Sequence, residues 1–177
     1  MTVITLRLSE LAPWYQKMGP AMNAAVKRGL IRGGMRAVQQ LQMATGRAPP
    51  ANPNGIGTGG AVNTGFYKRA WKMEKLSNGV RVYNAAPYAG IIENGRRPGR
   101  FPPLKVIEKW AQRRLGLSAK EAKRAAFPIA KAIAKRGLLA RKVLERDEPS
   151  ITQHFFEEIE IELSKAYTEY VAEGGEP

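Results

Sequence analysis

Residues 66–84 read Phe66-Tyr-Lys-Arg-Ala-Trp-Lys-Met-Glu-Lys75-Leu-Ser-Asn-Gly-Val80-Arg-Val-Tyr-Asn84. Asn78-Gly79 is the strongest short-range hairpin signal, because both central residues of the favoured two-residue turn need positive φ. Phe66 to Lys75 and Val80 to Asn84, which flank Ser77-Asn78-Gly79, are therefore expected to pair as antiparallel strands. Val80, Val82 and Asn84 alternate with Arg81 and Tyr83, the period of a strand with one covered face. Upstream, Ile4, Leu6 and Leu8 alternate with Thr5 and Arg7 and predict a further short strand.

Elsewhere the period is helical. Between about Glu10 and Met43 the positions Met22, Val26, Gly29, Leu30, Gly33, Ala37 and Leu41 recur at three and four, with Lys27, Arg28, Arg32 and Arg36 largely on other faces. Pro20 either opens this helix at its first turn or kinks a longer one. Gly29 and Gly33 would let another backbone approach closely, or merely weaken the helix by about 1 kcal/mol each relative to Ala. Thr45 to Gly65 holds six Gly and three Pro and little to bury, so it is expected to be a long loop, either a linker or an arm that orders against a neighbour. Tyr88 to Glu93 is expected to be a short helical or irregular piece. Pro103 opens a helix with Leu104, Ile107, Trp110, Ala111 and Leu115 on its apolar face and Gly116 at its end. Ser118 and Glu121 have capping-box spacing. Pro128 should break or kink the helix they start, leaving Ile129, Ala130, Ile133 and Ala134 as a stripe that ends at Gly137. Ile151, Phe155, Ile159, Leu163, Ala166, Tyr167 and Tyr170 predict a last amphipathic helix. It is expected to run from about Ile151 to Val171 and to bury Phe155, Ile159, Leu163 and Tyr167. Glu157, Glu158, Glu160 and Glu162 would then lie near solvent or face a basic surface of a neighbouring chain.

Charge is the second organising feature. Sixteen Lys and Arg against Glu108, Glu121 and Glu145 put +13 on residues 96–146, within a chain whose net charge is +14. Residues 150–177 reverse the sign, with seven Glu against Lys165 alone. A one-signed stretch of this density implies a polyanionic partner, either DNA or an acidic neighbouring protein. The candidate contacts are Arg96, Arg97, Arg100, Lys131, Lys135 and Arg136. Phe101, Trp110 and Phe127 are interleaved with these cations and could stack bases, although Trp110 and Phe127 fall near the apolar stripes and are expected in the core. No zinc-finger, RNP or basic-zipper pattern occurs, so any DNA contact would be backbone-directed and salt-dependent.

The residues for catalysis are few. The absence of Cys removes a disulfide scaffold, a thiolate metal site and a cysteine nucleophile together. His154, the only histidine, stands beside Phe155 on an amphipathic stretch, where a surface or interface role is expected. The glutamates at 157–162 spread around their helix instead of converging on a metal. The glycine-rich segment has neither the Walker spacing nor a GxGxxG after a strand. No enzymatic activity, cofactor or metal is therefore expected. No stretch approaches the roughly 18 apolar residues of a membrane span, and the N-terminus lacks a basic leader before an apolar run, so a soluble, unprocessed protein is expected.

Asn63-Thr64-Gly65 leading into Phe66 to Ala70, then Tyr88 to Gly99, then Pro103 to Trp110, and finally Phe127 to Ala130 with Ile133 to Gly137, follow an order and spacing that resemble a known family. It is that of the small tail-component or neck proteins of long-tailed double-stranded DNA phages, which help join the filled head to the tail. The resemblance covers roughly residues 20 to 145 and leaves the acidic C-terminal helix outside it. It implies an α+β fold, with a long N-terminal helix packed on a small antiparallel sheet and further helices. It also implies a homo-oligomeric ring, a hexamer, around the DNA channel, beside head-closure and tail proteins. Such a protein would be assembled in the host cytoplasm and reside in the virion, without membrane contact and with at most non-specific contact to genomic DNA. On this basis residues 1–149 are expected to form the α+β domain, with a flexible arm at 45–65, and residues 150–177 an acidic helix and tail. The alternative is a sequence-independent nucleic-acid-binding accessory protein.

Overall fold

The expected hairpin forms in a computed structural model that describes residues 3–7, 19–47 and 63–174. In chain order the elements are β1 (Val3–Arg7), α1 (Pro20–Ala44), α2 (Phe66–Arg69), β2 (Trp71–Leu76), β3 (Gly79–Asn84), α3 (Ala89–Asn94), α4 (Leu104–Leu115), α5 (Ala119–Arg136) and α6 (Val143–Ala172). The result is an α+β fold, with a long N-terminal helix on a small antiparallel sheet and a long C-terminal helix. β3 lies at the centre of the sheet, between β1 and β2, and pairs antiparallel with both. Leu76 stands opposite Gly79, which puts Ser77-Asn78 at the hairpin tip and Gly79 in the strand, one residue away from the expected turn. Phe66 to Arg69 is a helical turn, not strand. Its first amide donates to Thr64 Oγ1 at 3.3 Å and the Arg69 amide to the Gly65 carbonyl at 3.0 Å, and the strand begins only at Trp71.

The chain divides into two compact units. The first comprises Met1–Ala44, Ala70–Ala85 and Leu144–Pro177, and the second Thr45–Arg69 and Ala86–Val143. This is not the expected division at residue 149. α6 begins at Val143, and the C-terminal segment belongs to the same unit as α1 and the sheet. Of the expected arm at 45–65, residues 48–62 lie outside the described residues.

Within the first unit α1 has two opposite faces to cover. Pro20 is its first residue, where a missing amide costs no helical hydrogen bond. On the sheet side, Gly34 lies against Met73 and Val80. On the other, Gly29 and Gly33 lie against α6. A Cβ at Gly29 would come within 2.6 Å of the Ile159 Cα and 2.9 Å of the Glu158 carbonyl oxygen, and one at Gly33 within 2.5 Å of the Phe155 ring. The close-approach reading therefore holds for Gly29, where α1 and α6 touch backbone to backbone, whereas Gly33 makes room for the Phe155 ring. Val26, Leu30, Leu41, Trp71, Val80, Val82, Ile151, Phe155 and Ile159 are buried in this unit. Each large apolar side chain so placed is worth about 1.5–3 kcal/mol, which makes α6 part of the core and not an appendage to it. Leu163 is half-buried, whereas Tyr167 and Tyr170, expected in the same stripe, are exposed.

Cations of α1 flank this seam. Arg28 Nε donates to Glu162 Oε2 at 2.8 Å, Arg32 Nη1 lies 3.1 Å from Oε1 of the same carboxylate, and Lys165 Nζ donates to it at 3.2 Å. Further along, Arg36 Nη1 reaches Glu157 at 3.1 Å and Glu158 at 3.3 Å. The acidic row expected to face solvent or another chain is thus largely engaged within its own unit, and only Glu160 is left exposed. Glu162 itself is 3% exposed, covered by its cation partners near the surface. The Arg28 hydrogen bond is the main cause that holds its carboxyl below the usual range; desolvation opposes this, and Lys165 and Arg32 add to it. Arg146 donates to the Ala44 carbonyl at 3.0 Å and so supplies one of the hydrogen bonds that the end of α1 lacks.

The second unit is helical. α4 packs on α5 through Ile107, Ala126, Ala130 and Ile133, with Ile129 and Leu138 alongside. Gly116, in the left-handed region, closes α4 as expected, but Leu104 and Leu115 are exposed and only Ile107 and Ala111 of its predicted face are buried. The capping box at the start of α5 is formed. The Glu121 amide donates to Ser118 Oγ at 3.4 Å while the Ser118 amide donates to the Glu121 carboxylate at 2.9 Å. Pro128 does not break α5, and Pro149 likewise sits inside α6. Both prolines are exposed, as are Arg124 and Glu145 one turn earlier, so each missing hydrogen bond falls on a solvent face.

Two outcomes are expected. Gly29→Ala should destabilise the protein by about 1–3 kcal/mol in a urea titration, because the methyl group meets backbone that cannot swing aside and the gain in helix propensity, about 1 kcal/mol, does not offset the overpacking. An unchanged or raised midpoint would show that the seam has room. Glu162→Gln should lower stability at neutral pH, and the gap to the unaltered protein should close in acid. A depressed folded pKa contributes stability that is complete above the ordinary glutamate value and is lost as pH falls through the lowered one. Unfolding midpoints measured from neutral pH down to below the usual carboxylate range test this.

Candidate functional site

The two units differ sharply in charge. The first contains eleven Lys and Arg against twelve Asp and Glu, and the second eighteen against three. The tertiary grouping therefore collects all of the excess positive charge in the second unit.

There the structure brings together two basic segments that are distant in sequence. After α3 the chain passes through Arg96 to Arg100, and after α5 it returns beside that loop. The Arg96 amide donates to the Leu138 carbonyl at 2.8 Å, the Leu138 amide donates back to Arg96 at 2.8 Å, and the Gly99 amide donates to the Ala134 carbonyl at 2.8 Å. Gly137 makes this possible. Its φ is 75°, and a Cβ there would stand 2.1 Å from the Arg96 carbonyl oxygen, so neither the conformation nor the space admits another residue. Beyond it, the Arg141 amide donates to the Ile92 carbonyl at 2.8 Å and ties the returning segment to α3.

Arg97 and Arg100 of the loop and Lys131, Lys135 and Arg136 of α5 are all exposed, so five of the six candidate contacts are available to a partner. Arg96 differs. It is half-buried, and its guanidinium donates to the Arg100 carbonyl, bracing the loop from within. Among the described residues no ion pair engages Arg97, Arg100, Lys131, Lys135 or Arg136, in contrast to Arg28, Arg32 and Arg36 of the first unit.

The expectation for Phe127 is overturned. Phe127 and Phe101 are 56% and 51% exposed, with ring centroids 5.8 Å apart and planes inclined by 27°. The buried side of α5 is lined by Ala122, Ala126, Ala130 and Ile133, so α4 packs close to the backbone and the bulky ring falls on the outward side. Lys120, Lys123 and Arg124, absent from the sequence-based candidates, share that outward side with Phe127 and are exposed. Their spacing at seven, four and three from Phe127 is the signal that would have found them. Trp110 is half-buried.

The buried polar groups of this unit hold structure. The Tyr67 hydroxyl donates to the Glu93 carboxylate at 3.3 Å, which connects α2 to α3. Burial first, and Glu93 second, push the Tyr67 hydroxyl well above the usual phenol range, so it remains a neutral donor at all working pH values. Tyr88 stacks on the same ring, 6.4 Å between centroids. His154, in the first unit, places Nδ1 2.8 Å from the Gln40 side-chain oxygen. Among the described residues no group of three or more His, Asp or Glu is arranged to hold a metal, and no helix is long and apolar enough to cross a membrane.

No family model matches the chain, and no curated protein or solved structure matches it either.

The seating of the basic loop is open to a local test. Gly137→Ala should raise hydrogen exchange at the amides of Arg96, Gly99 and Leu138 severalfold, since a backbone at φ 75° and ψ −161° costs a residue with a Cβ about 1–3 kcal/mol and the methyl group displaces the Arg96 carbonyl. Amides of the β2–β3 hairpin should be unaffected. Unchanged protection at Arg96 and Leu138 would show that the loop is held by other contacts.

Proposed function

We propose that this chain is a non-enzymatic structural protein of the neck of a long-tailed double-stranded DNA phage. It would form a homo-oligomeric ring, a hexamer, at the head-tail junction around the DNA channel, beside head-closure and tail proteins. It would be assembled in the host cytoplasm and retained in the virion. The likeness of residues 20 to 145 to the tail-component and neck family points to this role. The structural observation that carries it is the segregation of charge, with eighteen cations against three carboxylates on one unit and near balance on the other. A subunit beside a DNA channel has use for a one-signed surface that it does not neutralise itself. Glu157, Glu158 and Glu162 of α6 are already engaged by α1 of the same chain, which leaves Glu160 and Glu169 of that helix, and Glu173 just beyond it, exposed. Each ring contact should bury more than about 1,000 Å².

One observation favours a second role, that of a sequence-independent nucleic-acid-binding accessory protein acting as monomer or dimer: the exposed Phe101–Phe127 pair among cations. Electron microscopy of assembled particles separates the two. We expect several copies in a closed ring at the head-tail junction. A single copy, a position far from the junction, or absence from purified virions would overturn the neck assignment.

A further inference from the structure

The outward side of α5 presents an organised surface. Lys120, Lys123, Arg124, Phe127, Lys131 and Lys135 recur at intervals of three and four, share one side of the helix and are all exposed. At 1.5 Å per residue they extend over about 22 Å. The one carboxylate of the helix, Glu121, is engaged by Ser118 in the capping box. Phe127 stands at the centre of this row with Phe101 stacked beside it, and each ring is about half open to solvent. Open aromatic rings in the middle of a one-signed row of cations have no packing role that would account for their position.

We propose that this side of α5, with Phe101, binds nucleic acid and prefers unpaired strands to duplex. The cations follow the phosphates, and the Phe pair offers a flat apolar surface on which bases stack. In a duplex the base faces are already covered by their neighbours, so only the cations engage and binding is purely electrostatic. An acidic protein segment would satisfy the cations but would give the two rings no planar partner. This preference goes beyond a place in the neck and stands apart from it: binding is read with the purified chain and the neck assignment in particles, so either can fail alone.

The test is fluorescence anisotropy of the full chain with a labelled oligo-dT and with a duplex of equal length, at low and at physiological salt. We expect the unpaired strand to bind about tenfold more tightly at physiological salt, and both affinities to fall as salt rises. Phe101→Ala with Phe127→Ala should reduce single-strand affinity at least about fivefold while leaving the duplex nearly unaffected. Lys131→Ala should weaken both and lower the salt slope by about 0.7–0.9. Equal affinity for the two DNA forms, single-strand binding unaltered by the alanine pair, or displacement by poly-glutamate as effective as by unlabelled oligo-dT would each overturn the proposal. Should the alanine pair lose its helical circular dichroism, Phe127→Leu alone decides, with a severalfold loss of single-strand affinity supporting the stacking role and full retention overturning it.

Discussion

Close approach of α6 to α1, backbone against backbone at Gly29 and Ile159 and the Phe155 ring seated on Gly33, is the constraint from which the first unit is built. It lets Ile151, Phe155 and Ile159 fill the side of α1 that the sheet does not reach, while Gly34 admits Met73 and Val80 on the opposite side. The magnitudes assign roles. Each buried Ile or Phe contributes about 1.5–3 kcal/mol, whereas an ion pair with an exposed arginine contributes about 0–1 kcal/mol. Packing therefore supplies most of the stability, and the row of Arg28, Arg32 and Arg36 against Glu162, Glu158 and Glu157 acts mainly to fix which side of α6 meets α1 and in which register.

That register has an electrostatic consequence. Most of the carboxylates of the chain reside in the first unit, and several are matched there to arginines of α1. The second unit keeps three carboxylates for eighteen cations. Of these three, Glu93 is buried on Tyr67 and Glu121 is engaged at the start of α5. Its basic surface is consequently not an average over the chain but a local property, set by which segments fold together.

Small residues recur as the means of bringing backbones together. Alanines on α5 let α4 approach, and the same choice turns Phe127 outward. Gly137 seats the Arg96 to Gly99 loop against the end of α5 by allowing a conformation and a clearance that a side chain would close. The surface chemistry of this unit is thus a product of how thin its helix contacts are.

Much of the local structure was legible from the chain itself. Alternation at Val80 and Val82, the Ser118 and Glu121 spacing, Pro20 and Gly116 specified elements through interactions within a few residues, and these formed as expected. What failed were inferences that needed a partner for a face. Phe127 was expected in the core because a sequence shows that a residue is apolar, but not whether its helix will be approached by side chains or by backbone. Glu157, Glu158 and Glu162 were expected to meet solvent or another chain, because their partners Arg28, Arg32 and Arg36 lie more than a hundred residues away. Pro128 was expected to break or kink its helix, yet α5 continues through it, as α6 does through Pro149, because both lie on solvent faces where the lost hydrogen bond can be replaced by water. The sequence by itself determined most of the elements, the caps at Ser118 and Gly116 and the total charge, which are local or additive quantities, but not the helical turn at Phe66–Arg69 or the start of α6 at Val143. Only the tertiary structure decided where that charge remains unmatched and which rings stay exposed, because both depend on long-range pairing.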